Sequence, residues 1–88
     1  MDQNYPNPFN PTTSIGYALK ENTKVVLKIY NLLGQEVRTL VNGNQEVGYK
    51  KVAWDGMNDK GTRVASGIYI YRIKAGDFVK ARKMILMK

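Results

Sequence analysis

The chain has 88 residues with no cysteine and no histidine, and its 14 lysines and arginines stand against 7 acidic residues, giving a net charge of +7. This length predicts one small domain with a modest core, and no disulfide can stabilise it. Without histidine or cysteine the chain lacks the usual general base, the thiol nucleophile and most transition-metal ligands. We therefore expect no enzyme, no metal and no cofactor. No apolar run approaches the ~20 residues of a membrane helix, so we expect no membrane insertion.

A segment rich in proline and asparagine comes first, Asn-Tyr-Pro-Asn-Pro-Phe-Asn-Pro at residues 4–11. Each proline fixes φ and removes an N–H donor, so neither a helix nor a central strand is expected here. Residues 1–11 are predicted to be a stiff, extended lead-in. It either packs on the domain through Tyr5 and Phe9 or links the domain to a preceding one. Residues 12–88 are predicted to form the domain itself.

Apolar residues at every second position predict four strands in the first part of the domain. These strands cover residues 12–19, 25–30, 36–41 and 48–54. Gly34 lies in the turn before the third strand and permits left-handed backbone there. Trp54 ends the fourth strand in phase with Val52, which favours a core position over an exposed ring that stacks on sugars or bases.

A polar loop follows at residues 55–61 and contains Asp55, Asn58 and Asp59. These side chains could bind calcium through their oxygens. The loop departs from the EF-hand pattern, since Met57 holds its third position and no glutamate ends it. Asp and Asn in turns more often bond their own backbone, and we favour that interpretation.

Residues 62–65 are predicted to be a short fifth strand, and the remainder reads as a closing hairpin. Its strands are Gly67–Lys74 and Phe78–Lys88, and a two-residue turn at Ala75 and Gly76 would pair Ile73 with Phe78. Seven short strands without a helical period predict an all-β sandwich.

The end of the chain is both basic and apolar. Six basic residues stand against one acid in residues 72–88, which is a local charge of +5. Such a cluster favours anionic partners, and solvated lysines are the simpler alternative. Met84–Met87 is apolar on both faces of the strand, so either both faces are covered or this stretch meets a partner.

Five stretches, in this order, resemble the C-terminal sorting domain of proteins exported by the type IX secretion system of Bacteroidetes and their relatives. The immunoglobulin-like domain of flagellar hook-capping proteins is a related family and the nearest rival. The pattern departs at Asn31, where an acid is common, and at Gln35, where a basic residue is common. The five stretches are residues 4–11, residues 29–37 (Ile-Tyr-Asn-Leu-Leu-Gly-Gln-Glu-Val), Trp54-Asp55-Gly56, residues 66–73 (Ser-Gly-Ile-Tyr-Ile-Tyr-Arg-Ile) and residues 83–88 (Lys-Met-Ile-Leu-Met-Lys).

The resemblance implies a seven-stranded immunoglobulin-like β-sandwich without a disulfide that acts as an address label. Cargo upstream would reach the periplasm, be recognised by the type IX machinery, and then be secreted or held at the cell surface. In many members a sortase-like peptidase removes the tail. The implied recognition residues are Gly67, Lys83, Met84, Ile85, Leu86 and Lys88, and the implied structural residues are Trp54, Gly34 and Gly56.

We also expect a monomer that binds no nucleic acid. The alternative function is a structural or glycan-binding β-sandwich module at the end of a cell-surface protein.

Overall fold

A computed structural model describes residues 1–87, which contain six β-strands and no helix. The all-β class predicted from the alternation is confirmed. No helix in the described part is long and apolar enough to cross a lipid bilayer. The strands are β1 (Thr13–Leu19), β2 (Thr23–Tyr30), β3 (Glu36–Gln45), β4 (Gly48–Trp54), β5 (Gly67–Ala75) and β6 (Phe78–Leu86).

The strands form two antiparallel sheets that pack face to face. β1 pairs with β4 in a two-stranded sheet, and the other sheet has four strands in the order β3-β2-β5-β6. β6 and β3 are therefore the edge strands of the larger sheet, and β1 and β4 are both edges of the smaller one. Because two strands cover four, part of the larger sheet has no strand opposite it.

One face of each sheet supplies the core, because successive side chains of a strand point to opposite faces. Trp54 is fully buried, and its ring lies 5.6 Å from that of Phe9 and 5.4 Å from that of Tyr69. Its indole N–H donates to the Met57 carbonyl at 2.9 Å, so burial leaves this donor satisfied. The other buried apolar side chains are Ile15, Tyr17, Leu19, Val25, Leu27, Ile29, Tyr71, Ile73, Met84 and Leu86.

The prediction of seven strands was wrong, because residues 62–65 do not form a strand. Arg63 makes an isolated antiparallel bridge with Met57 and no longer ladder. The partner segment cannot extend the pairing, because it is folded into a turn by Asn58. The side-chain oxygen of Asn58 accepts two backbone N–H groups of that turn, each at 3.0 Å.

The turn of the closing hairpin lies one residue later than predicted, which moves the partner of each β5 residue by two positions along β6. Ala75 pairs with Phe78, so Gly76 and Asp77 form the turn and Ile73 does not face Phe78. Gly76 has a φ of 60°, and a glycine at the first central position is typical of a type II′ turn. The predicted turn would have placed Ala75 in that left-handed conformation, where its Cβ is unfavourable.

Candidate recognition surface at the C-terminal strand

Four of the six recognition residues implied by the resemblance lie near the end of β6. The alternation of the strand divides them into two pairs. Met84 and Leu86 face the core and are 0% and 4% exposed, whereas Lys83 is exposed and Ile85 is 41% exposed. A partner that meets the folded domain can therefore contact the side chains of Lys83 and Ile85 but not those of Met84 and Leu86.

The two remaining recognition residues are Gly67 and Lys88, and neither offers a described side chain to a partner. Gly67 lies opposite Leu86 at the start of β5 and has a φ of 148°, which favours glycine. Its contribution is therefore a backbone conformation that begins the strand. Lys88 lies outside the described residues.

The outer face of the four-stranded sheet, which points away from the core, carries most of its basic charge near β5 and β6. Arg72 lies beside Lys28 in the sheet, Lys74 is two residues further along β5, and Lys83 lies on β6. Glu36 forms an ion pair with Lys28 at 2.7 Å, and this hydrogen bond raises the pKa of Lys28. The face presents a positive field to an approaching partner.

An apolar corner adjoins these charges. Ile85 lies directly across from Ile68, and Ile70 lies across from Lys83. Ile68 is 42% exposed and Ile70 is half-buried. We call Ile68, Ile70, Lys83 and Ile85 the β6 corner. Neighbouring exposed apolar side chains beside a charge are typical of an interaction surface.

The proline-rich segment lies along the free edge of β6. The Phe9 N–H donates to the Ile85 carbonyl at 3.0 Å, and the Met87 N–H donates to the Phe9 carbonyl at 2.8 Å, as in parallel strands. The Ile85 N–H donates to the side-chain oxygen of Asn7 at 3.0 Å. Residues 4–11 therefore cover the C-terminal part of an edge that would otherwise be open.

The same segment also bonds to the edge of β1 in the other sheet. Tyr5 and Ser14 exchange two backbone hydrogen bonds of 2.9 Å each, and the Asp2 N–H donates to the Gly16 carbonyl at 2.8 Å. Residues 2–9 thus join the edges of the two sheets.

Tyr71 anchors this segment from inside the core. Its hydroxyl accepts the Asn4 N–H and donates to the Asp2 carbonyl, both at 2.8 Å. The buried Asn4 side chain donates to the hydroxyl of Thr13 at 3.0 Å. Within the described residues no buried side-chain nitrogen or oxygen lacks a partner. The segment can be buried at this point because its polar groups are paired.

We expect the domain to lose stability at alkaline pH because of its buried tyrosines. Burial raises the pKa of Tyr71 above its ordinary value, and Tyr17 and Tyr69 are raised by the same cause. The unfolded chain releases these protons first, so the stabilisation is complete below the unfolded pKa of about 10 and is lost as the pH rises through the folded pKa.

Thermal unfolding at increasing pH should therefore give a Tm that changes little below about pH 9 and falls above about pH 10. Tyr71→Phe should decline less steeply. A Tm that rises above that pH contradicts the expectation.

Arg38 of β3 holds the loop of residues 55–61. Its guanidinium lies 3.3 Å from a carboxylate oxygen of Asp55 and 3.8 Å from one of Asp59. The side-chain oxygens of Asp55, Asn58 and Asp59, which could have bound calcium, therefore pair with N–H groups of the protein itself. In the described part no group of three or more Asp, Glu, His or Cys side chains could hold a metal ion. The sequence did not indicate this role of Arg38, because the alternation of apolar and polar residues in β3 does not distinguish it from other polar side chains.

The two glycines named as structural have left-handed backbones, with φ of 83° at Gly34 and 77° at Gly56. A Cβ at Gly56 would lie 3.2 Å from the Pro11 carbonyl oxygen. Gly56 therefore allows the loop after β4 to approach the end of the lead-in. Gly34 has open space around it, so only its backbone conformation requires glycine.

The geometry defines a β-sandwich without a disulfide whose first segment and last strand share an edge. The FlgD Ig-like domain profile matches residues 6–77, which is most of the chain. The chain therefore belongs to the FlgD Ig-like domain family, and the relation to hook-capping proteins predicted from the motifs is confirmed. The matched range ends just before β6 begins at Phe78. A comparison with curated protein sequences finds no match.

Solved structures at low sequence identity share the fold. Dimeric latent PorU from Porphyromonas gingivalis is 21% identical with a TM-score of 0.76, covering 97% of this chain and 9% of PorU. PorZ, an essential surface component of the type IX secretion system of the same organism, is 22% identical with a TM-score of 0.68, covering 98% of this chain and 11% of PorZ. FlgD from Xanthomonas campestris is 22% identical with a TM-score of 0.67, covering 90% of this chain and 58% of FlgD.

The chain thus spans a small part of the two Porphyromonas proteins and just over half of FlgD.

Proposed function

We propose that this domain is a non-catalytic C-terminal sorting signal. The type IX secretion machinery recognises it and carries an upstream cargo across the outer membrane. The observation that carries the proposal is the β6 corner, an exposed basic and apolar surface formed by β6 and the start of β5. Strand β6 lies beyond the part of the chain that matches the hook-capping family, residues 6–77.

The sequence motifs support a sorting function over the more general role of a structural β-sandwich module. The five stretches that resemble sorting domains include the proline-rich segment and the end of β6, and in the fold these two lie against each other. The fold is also that of a region in PorZ, a surface component of the type IX system. We propose accordingly that the cargo passes through the periplasm and is then secreted or held at the cell surface. A sortase-like peptidase is the proposed partner that would remove the domain after export.

The β6 corner can serve both steps of recognition. The charge of Lys83, together with Arg72 and Lys74, raises the rate of encounter with an acidic surface. The exposed side chains of Ile68 and Ile85 then lose apolar surface to water on contact, which slows dissociation. Met84 and Leu86 act indirectly, since they hold β6 in place from the core.

The proposal is tested by Lys83→Glu combined with Ile85→Thr in a reporter fused upstream of the domain. Both side chains are exposed, so each change should alter the free energy of unfolding by only about 0.5 kcal/mol. We expect an unchanged Tm, with the reporter retained in the periplasm of a bacterium that has a type IX system. Western blots of periplasm and culture medium measure the distribution.

The matched control is Lys51→Glu combined with Val47→Thr. These residues are exposed on and beside β4 in the other sheet, and the control makes the same charge reversal and likewise replaces a β-branched apolar residue with threonine. It should be secreted at the wild-type rate. If the β6 variant folds and is also secreted at the wild-type rate, the β6 corner is not the address.

The family match favours a second candidate, a structural module that assembles on a cell-surface protein. Exposed aromatic rings at Tyr5, Tyr49 and Phe78 extend this candidate to weak glycan binding. A glycan titration followed by chemical shifts would place changes at these rings, and removing the domain would then leave export of the cargo intact.

A further inference from the structure

The free edge of β6 is only half covered. Ile85 directs both of its backbone groups outward, to Phe9 and Asn7. Because outward-pointing groups recur at every second residue of an antiparallel strand, Val79 and Ala81 direct their N–H and C=O groups to the same side. No hydrogen bond within residues 1–87 engages these groups of Val79 or Ala81. They form an open half of the edge.

The chain itself demonstrates what this edge accepts. Phe9 adds to the covered half as a parallel strand would, with hydrogen bonds of 3.0 and 2.8 Å to Ile85 and Met87. Further along, the Gln3 side chain donates to the Lys83 carbonyl at 2.8 Å. Beyond that contact the backbone of Asp2 bonds to the edge of β1, while Met1 stays beside β6, where its carbonyl accepts the Nε–H of Arg82 at 3.1 Å. The open half therefore continues an edge that already binds an extended segment.

A groove lies on the core side of the open half. It has a volume of about 510 Å³, and its lining includes Leu19, Ile73, Ala75 and Phe78. Phe78 is 52% exposed there, on the opposite wall from the end of β1. Lys20, Glu21 and Asp77 also line the groove, and Lys80 and Arg82 lie on the same face of β6 as Phe78. Inward-pointing side chains of an added strand would meet the apolar part of this lining around Phe78.

The opposite side of the open half is basic. Val79 lies across from Lys74 and Ala81 across from Arg72, and both cations are on the outer face. An added strand would lie about 10 Å from β5, two strand spacings away, a gap that a lysine or arginine and a glutamate can bridge. Outward side chains of an added strand would therefore be favoured as acids.

We propose that the open half of the β6 edge binds an extended segment of a partner protein as an added strand. Acidic and apolar residues alternate along this segment. Its backbone bonds to Val79 and Ala81, its apolar residues enter the groove over Phe78, and its acids face Arg72 and Lys74. This mode of binding does not depend on the role in secretion.

The basic residues also disfavour pairing of this edge with a second copy of the chain. Lysines on an edge strand repel a like strand and so prevent aggregation. Lys80, Arg82 and Lys83 on β6 do this against another β6, and they attract an acidic segment instead.

The probe is a synthetic peptide of alternating valine and glutamate, capped at both ends, titrated into the isotope-labelled domain. We expect saturable chemical-shift changes at the Val79 and Ala81 amides and at Phe78. We also expect these two amides, which exchange rapidly in the free domain, to become protected from hydrogen exchange. The Ile85 amide should stay as it was, because the lead-in already covers it.

Val79→Pro removes one outward N–H without removing a bond to β5, and it should weaken peptide binding about tenfold or more. Val79→Thr is the matched control, because it keeps the N–H and should bind as the wild type does. A control peptide with lysine in place of glutamate should not bind. If the proline variant fails to fold, hydrogen exchange on the wild-type domain still decides the question.

Three outcomes overturn the proposal. The acidic peptide gives no saturable shifts, its shifts lie on β3 or on the β6 corner instead, or the lysine peptide binds equally well.

Discussion

Replacing Trp54 with alanine is expected to lower the free energy of unfolding by about 3–5 kcal/mol. The side chain is fully buried between Phe9 and Tyr69, with rings at 5.6 and 5.4 Å. The free energy of unfolding of a whole protein is only ~5–15 kcal/mol, and a domain of this length has a small core. The variant should therefore lose a large share of its stability and unfold at a much lower denaturant concentration. Denaturant unfolding followed by circular dichroism measures the change.

Trp54→Phe is the matched control. It keeps an aromatic ring in the core and loses the indole N–H that donates to the Met57 carbonyl, so its loss of stability should be smaller. Native tryptophan fluorescence gives an independent test, since a buried ring emits at short wavelength. A red-shifted native spectrum, or an alanine variant as stable as the wild type, would show that Trp54 is not a core residue.

Phe9→Ala should have an effect of similar size, about 3–5 kcal/mol, although Phe9 lies outside the strands. Its ring is 2% exposed and packs on Trp54. Its backbone also holds the edge of β6, so the variant should release the lead-in as well as create a cavity. Hydrogen exchange should then accelerate at the Ile85 and Met87 amides before the core opens.

Tyr5→Ala serves as the control for Phe9→Ala. Tyr5 belongs to the same segment but is 81% exposed, so its loss should change stability by about 0.5 kcal/mol. Because Phe9 and Trp54 are in contact, their double variant should lose less than the sum of the two single losses. Equal effects of Tyr5→Ala and Phe9→Ala would mean that the segment is not docked through Phe9.

Local pattern was sufficient to predict most strands of this fold. Alternation at Val25, Leu27 and Ile29 predicts one buried face, and all three are fully buried. The same alternation places Met84 and Leu86 inward once the register of the hairpin is known. The resemblance named both as recognition residues, because a sequence motif does not separate side chains that hold a strand from those that a partner can touch.

The failures of sequence reasoning come from contacts distant in the chain. The turn of the hairpin depends on which residue tolerates a positive φ, and placing it at Ala75 instead of Gly76 shifts every pair. Residues 62–65 have strand-like composition, but the segment that they face is folded into a turn and cannot extend the pairing. Nothing local to residues 4–11 indicates that they bond to both sheets, since prolines there exclude only helix and central strand.

The parallel contact between Phe9 and Leu86 has a mechanical consequence. Two parallel segments run in the same direction, so a pull on the chain before Phe9 and an opposing pull after Leu86 slide one along the other. The hydrogen bonds of Phe9 to Ile85 and Met87 lie across that force and must break together rather than one by one. A domain held after Leu86 while the chain before Phe9 is drawn away would thus be loaded in shear, the direction in which this junction resists separation best.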